Sequence, residues 1–79
     1  MQVEVTVFAT LRRYLPGLPI GGSRQMDVQP GTTIADLMHT LGLPAEEVKV
    51  VMRNHLQAEL CDSVEDGDRI AYIPAVAGG

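Results

Sequence analysis

The sequence predicts an α+β domain, a mixed sheet of four to five strands wrapped around one main helix. Three observations carry that expectation. The chain opens on a strict alternation of apolar and polar residues, QVEVTVF. A single stretch, PGTTIADLMHTLGLP, has apolar residues at helical spacing between a start and a stop signal. Further β-rich runs follow it, VKVVMR, LQAEL and RIAYIP, separated by turn residues. One helix cannot cover both faces of a sheet, so one face is expected to stay open.

Each element can be justified in turn. In QVEVTVF, Val3, Val5 and Val7 share one face, while Gln2, Glu4, Thr6 and Phe8 share the other. Period two with β-branched residues marks a half-buried strand. TLRRYLPGLPIGGS follows, and its prolines and glycines make its second half a loop, long for a hairpin connection. A second strand is expected over residues 24–29, with Met26 and Val28 inward. In the helix, Thr33 and Asp36 have the spacing of a capping box. Ile34, Leu37, Met38 and Leu41 form its apolar stripe, and Gly42 and Pro44 end it.

Pro44 is then expected to open one acidic helical turn, PAEEV. In VKVVMR, Val48, Val50 and Met52 are expected inward, with Lys49, Val51 and Arg53 outward. Asn54-His55 is the expected turn into a short strand in LQAEL, and the EDGD turn leads into a last strand, Arg69 to Ile73, ended by Pro74. This order describes a β-grasp, or ubiquitin-like, domain over residues 1–74, followed by a flexible C-terminal tail, 75–79.

Bulk properties narrow the function. The chain has 79 residues, 46% of them hydrophobic, enough for one small domain with a thin core. Its formal net charge of -4 argues against nucleic acid and anionic membrane surfaces as partners. No apolar run approaches the ~20 residues of a membrane span, and no signal peptide is evident, so the cytoplasm is the expected compartment.

The sequence PAVAGG raises the chemical question. Beyond Pro74 the residues are small except Val76, and five extended residues reach ~16 Å. A thin peptide enters a narrow cleft that bulkier side chains would block, and glycine adds backbone freedom. At its tip an α-carboxylate is ionised at neutral pH and is a poor acylating group until activated. Attack on the α-phosphate of ATP gives an acyl-adenylate, and sulfur transfer then gives a thiocarboxylate. The chain has no phosphate-cradling glycine loop ahead of a helix, so activation is expected from an ATP-using partner, with no cofactor bound by this chain itself.

Two stretches resemble the MoaD/ThiS sulfur carriers, and among them the small subunit of molybdopterin synthase. VFATLRRYL is similar to that family's F-A-x-L-R element, and VEDGDRIAYIPAVAGG to its D-G-D, strand, proline and Gly-Gly ending. The pattern differs at Ala75, which stands for the second proline of a pair, at Ile73, which stands for an aromatic, and at Asn54-His55, which stands for Asn-Gly. The resemblance implies a sulfur-carrier subunit that is not an enzyme by itself. Its terminal Gly79, preceded by Gly78, would be adenylated by a relative of ubiquitin-activating enzymes and sulfurated with the help of a sulfur-donor protein. It would then enter a molybdopterin synthase large subunit to build the molybdenum or tungsten cofactor. The resemblance also places Phe8, Arg12, Ile73, Pro74 and Val76 at partner contacts.

Periodicity supports part of that surface independently. Phe8 falls on the polar face of its strand, and Ile73 falls opposite Ile70 and Tyr72. If the first and last strands run side by side in parallel, Phe8 and Ile73 meet near the root of the tail. Other chemistry-bearing residues read as ordinary. Cys61 sits between Leu60 and Asp62 and reads as a structural or incidental cysteine. His39 and His55 lack ligand partners at metal spacing. Asp62, Glu65, Asp66 and Asp68 read as a solvated turn around Gly67. Three functions remain open: a sulfur carrier (for molybdopterin, or for thiamine or tRNA thiolation), a ubiquitin-like modifier joined through Gly79, and a β-grasp interaction domain with an inert tail.

Overall fold

A computed structural model describes residues 1–19 and 21–75; Ile20 and residues 76–79 lie outside the described residues. Five strands form one mixed sheet in the order β2-β1-β5-β3-β4. They are β1 (Gln2–Val7), β2 (Arg24–Asp27), β3 (Val48–Arg53), β4 (Leu56–Ala58) and β5 (Arg69–Pro74). β1 and β5 pair in parallel at the centre, with Val7 beside Tyr72, and the other pairs are antiparallel. The helix α1 (Ile34–Thr40) lies on one face. With the sheet wrapped around it, this is the ubiquitin-like β-grasp architecture.

The alternation of β1 is realised as expected, with Val3, Val5 and Val7 at 4% exposure or less. They join Ile34, Leu37, Met38 and Leu41 of the helix stripe in one core cluster with Ile70 and Tyr72. The capping box forms in both directions. Thr33 Oγ1 accepts from the Asp36 N–H, and the Thr33 N–H donates to Asp36 Oδ2, each at 3.0 Å. This satisfies two donors at a helix start that has no preceding turn to bond to. Gly42 ends the helix at φ +75°, a left-handed conformation that a side chain would strain. Met26 and Val28 pack against the core as expected, although β2 stops at Asp27.

Three elements depart from the sequence reading. The segment after β1 forms a 3-10 helix, Ala9–Tyr14, and buries Leu11; Leu15, just beyond it, is also buried. In β3 the facing is reversed beyond its first residue. Val51 is buried at 4% and pairs with Tyr72, whereas Val50 pairs with Ile73 and Met52 with Ala71 on the open face. A register shift between Val48 and Val50 causes this. The extra residue of a bulge reverses the phase of the alternation, so Val48 and Val51 both face the core. Pro74, expected to end β5, is its last residue, buried and paired with Val48.

The acidic turn is likewise less solvated than its composition implies. Glu65 and Asp66 are exposed, but Asp68 is 6% exposed. Its carboxylate accepts from Arg53 Nε at 2.6 Å, Asn54 Nδ2 at 2.9 Å and the Glu65 N–H at 2.8 Å. Asn54 Oδ1 in turn accepts from the Arg69 N–H at 2.9 Å. This network joins the β3–β4 hairpin to the start of β5. The hairpin turn itself places Asn54 and His55 at φ +53° and +71°, both left-handed, as a tight two-residue turn requires.

Candidate functional site

The open face of the sheet carries the candidate site. A groove of about 590 Å³ runs along β5 there, lined by Thr6, Phe8, Met52, Ala71 and Ile73, with His55, Glu4 and Arg69 towards one end. Its floor follows from the strand pairing. Residues of β5 alternate, so Ile70, Tyr72 and Pro74 are buried on the helix side, which leaves Arg69, Ala71 and Ile73 on the other. Ala71 lies between Thr6 of β1 and Met52 of β3, and Ile73 lies beside Val50.

Two features shape the groove's walls. The loop before β2 folds over the sheet edge, where Thr6 Oγ1 donates to the Gly22 carbonyl at 2.8 Å and Ser23 Oγ donates to Glu4 Oε1 at 2.9 Å. Gly21 and Ser23 thereby become lining residues. At the other side, the reversed facing of β3 brings Met52 into the groove. Glu4 and Arg69 pair across the β1–β5 ladder, with Oε2 to Nε at 3.0 Å. Sequence reasoning missed Met52, because the bulge that turns it outward leaves no mark in an apolar run. It also missed the loop wall, because Thr6 to Gly22 is a tertiary contact between polar groups.

Phe8 is 45% exposed, a large apolar side chain on the surface. Its N–H donates to the Tyr72 carbonyl at 3.2 Å, the last rung of the parallel ladder. Ala9 then takes φ +51°, which turns the chain out of the sheet and into the 3-10 helix. Phe8 and Ile73 both line the groove, at the end where β5 finishes. Pro74, by contrast, is buried on the helix side. Arg12 is half-buried in the turn after β1. Its Nη2 donates to the Leu18 carbonyl at 3.4 Å, and its buried Nε has no partner among the described residues. Val76, Gly78 and Gly79, and all of the proposed tail except Ala75, lie outside the described residues.

The titratable groups with clear shifts are structural. Burial raises the Tyr72 hydroxyl's pKa well above the ordinary value, and that hydroxyl donates to the Ile34 carbonyl at 2.7 Å inside the core. Burial also pushes the Asp68 carboxyl up, but hydrogen bonds from Arg53, Asn54 and the Glu65 N–H outweigh it and hold the group below the usual carboxylate range. Cys61 is a free, exposed thiol. Among the described residues, no group of three His, Cys, Asp or Glu side chains is placed to hold a metal, and no helix is long and apolar enough to cross a membrane. The groove is apolar at its Phe8 end and charged at its Arg69 end.

Comparison with known proteins agrees with this architecture. The ThiS family model matches residues 5–79. The Haloferax volcanii protein HVO 2177 is similar at 28% identity, over 100% of this chain and 87% of its own, with a TM-score of 0.74. SAMP1 from Haloferax volcanii matches at 24% identity over 100% of both chains, with a TM-score of 0.70. A chain from the complex of subunits 1 and 2 of the molybdopterin-converting factor from Helicobacter pylori matches at 21% identity, over 100% of both chains, with a TM-score of 0.61. No curated protein matches in sequence. A five-stranded β-grasp sheet, one main helix and a family match over nearly the whole length lead to one assignment: the chain belongs to the ThiS family, with the ubiquitin-like fold of MoaD/ThiS sulfur carriers.

Proposed function

We propose that this chain is a sulfur carrier of molybdopterin biosynthesis, charged at the carboxylate of Gly79. The carboxylate attacks the α-phosphate of ATP on a partner related to ubiquitin-activating enzymes, forming an acyl-adenylate and releasing pyrophosphate. A hydrosulfide equivalent from a sulfur-donor protein then attacks the acyl carbon and displaces AMP, leaving a thiocarboxylate. A molybdopterin synthase large subunit receives the charged end and supplies the catalytic groups for sulfur transfer to a pterin precursor. The carrier's own part is recognition and delivery. It docks by Phe8 and Ile73 on the open face, and β5 leads through Pro74 to the glycine pair.

The observation that carries this reading is the family match running from residue 5 through the glycine pair at 78–79, on a fold whose central strand leads towards that pair. The similar subunit from Helicobacter pylori, found in complex with subunit 2 of the molybdopterin-converting factor, supports a large-subunit partner. A second reading has its own support. The chain is as similar to small archaeal modifier protein 1, which favours conjugation of Gly79 to lysines of other proteins.

Intact-mass measurement after incubation with the activating enzyme, ATP and a sulfur source tests both. One oxygen exchanged for sulfur is the result expected of a carrier. Covalent ladders on other proteins in the host would favour the modifier, and an unmodified chain in both settings would leave neither standing.

A further inference from the structure

The two short turns, Ala9–Tyr14 and Ala45–Glu47, stand on either side of the point where β5 ends. β1 runs parallel to β5 with Val7 beside Tyr72, so the first turn begins alongside Ile73 and Pro74. β3 runs antiparallel with Val48 beside Pro74, so the second turn, just before β3, lies level with Ala75. Side chains tie one turn to the other across this gap. Tyr14 Oη donates to Glu47 Oε2 at 2.5 Å, and Arg13 Nη2 donates to Glu47 Oε1 at 2.6 Å. The Arg13 guanidinium also lies 5.0 Å from the centroid of the Tyr14 ring and donates to its hydroxyl at 3.0 Å. Tyr14 packs against the core cluster, which puts the tie on the helix side of the sheet, the side to which Pro74 is turned.

The geometry points to a positioning role for Tyr14 and Glu47 in the charging of Gly79: their tie closes the helix side of the β5 exit and sets the direction in which the chain leaves the sheet. This inference rests on the sulfur-carrier reading. The docking surface is at Phe8 and Ile73, whereas the reacting carboxylate is up to ~16 Å further along the chain. Docking alone therefore does not place the carboxylate at the nucleotide. A fixed exit narrows the volume the end explores and raises its effective concentration there. Closing the helix side leaves the open-face side, where the partner sits. Pro74, with its φ held by the ring, adds stiffness at the same point.

The role assigned to Tyr14 and Glu47 is positioning, exerted through the path of the chain at Ala75. An exposed ion pair by itself contributes little to stability, and Arg13 is 61% exposed. Tyr14 and Glu47 differ from such a pair because they are half-buried and join two segments with no strand pairing between them.

Tyr14→Phe keeps the packed ring and removes the hydroxyl, and Glu47→Gln keeps the shape and removes the charge. In full-length, isotope-labelled chains, the backbone order parameter of the Ala75 amide is expected to fall in both variants, with those of β1 and α1 unchanged. In ATP–pyrophosphate exchange with the activating enzyme, KM for the carrier should stay within about twofold, because the docking face is intact, while kcat falls about five- to tenfold. A lowered Tm with parental kcat, or an Ala75 amide as ordered in both variants as in the parent, overturns the proposal. No exchange by the parent chain would instead remove the carrier reading, and the relaxation measurement would still decide whether the tie orders the exit.

Discussion

At its Arg69 end, β5 is held by polar groups that leave little freedom. The Arg69 carbonyl accepts from the Asn54 N–H at 2.8 Å and the Asp68 carbonyl from the Glu4 N–H at 2.9 Å, while the Asp68 carboxylate gathers Arg53, Asn54 and the Glu65 N–H. At its Pro74 end, the strand loses its β1 neighbour at Ala9, pairs with Val48 across an irregular register, and leaves apolar Phe8 and Ile73 at the surface. One end fixes the register of the central strand. The other presents a surface and an exit. The polar groups of the anchoring end hold the sheet together, and the presenting end is where docking is proposed.

The contrast can be broken most strongly from the presenting end. Phe8→Asp together with Ile73→Asp should weaken binding to the activating partner by about 2 kcal/mol or more, roughly thirtyfold, as expected for apolar anchors at the centre of a contact. The far-UV spectrum should remain that of the parent. Calorimetric titration checks the binding, and unchanged affinity would place the contact elsewhere.

At the anchoring end, Asp68→Ala should do the reverse. It leaves Asn54 Nδ2 and the Glu65 N–H without their acceptor and Arg53 without its closest carboxylate, at a cost of about 2 kcal/mol in urea denaturation. Partner affinity of the folded fraction should be unaffected. The same carboxylate sets a pH dependence. Its pKa is lower in the folded chain than in the unfolded one, so its contribution is complete above the unfolded value of about 4. That contribution is lost as pH falls through the lower folded value. Stability of the parent should therefore drop below about pH 4 more steeply than that of Asp68→Asn, measured by the urea midpoint across the acid range.

The smallest expected effect sharpens the comparison at the exit. Ala9 has a left-handed backbone at φ +51°. Ala9→Gly relieves a strain of about 1 kcal/mol but widens the unfolded ensemble, so a net gain of about 0.5 kcal/mol is expected. A loss of stability would show that the alanine methyl group makes packing contacts that outweigh the strain.

Much of this was legible in the residues. The alternation of Val3, Val5 and Val7, the Thr33–Asp36 box and the apolar stripe of α1 each depend on neighbours in sequence, and each formed as read. The exposed position of Phe8 followed from the same alternation. β3 was not legible in this way. Four of its six residues are apolar, so neither face is marked by polar residues, and a bulge between Val48 and Val50 decided which face is which. Leu11 and Leu15 lay in a stretch dominated by proline and glycine signals further on, and their burial depends on a 3-10 turn that only the end of β1 explains. Asp68 looked like its acidic neighbours in sequence. What distinguishes it is Arg53 and Asn54, brought to it by the hairpin. Met52 in the groove and the Tyr14–Glu47 tie depend on contacts between distant segments.

The placement of β5 has a consequence for synthesis. It follows the other four strands in the chain, yet it occupies the middle of the sheet between β1 and β3. A ribosome that has not reached residue 69 holds a chain in which β1 and β3 share no neighbour. Such a chain lacks Ile70 and Tyr72 from its core, and an assembly of distant segments of this kind is expected to fold late. An unfinished or prematurely ended product would then offer no assembled surface for a partner to grip, so the topology itself screens out incomplete molecules.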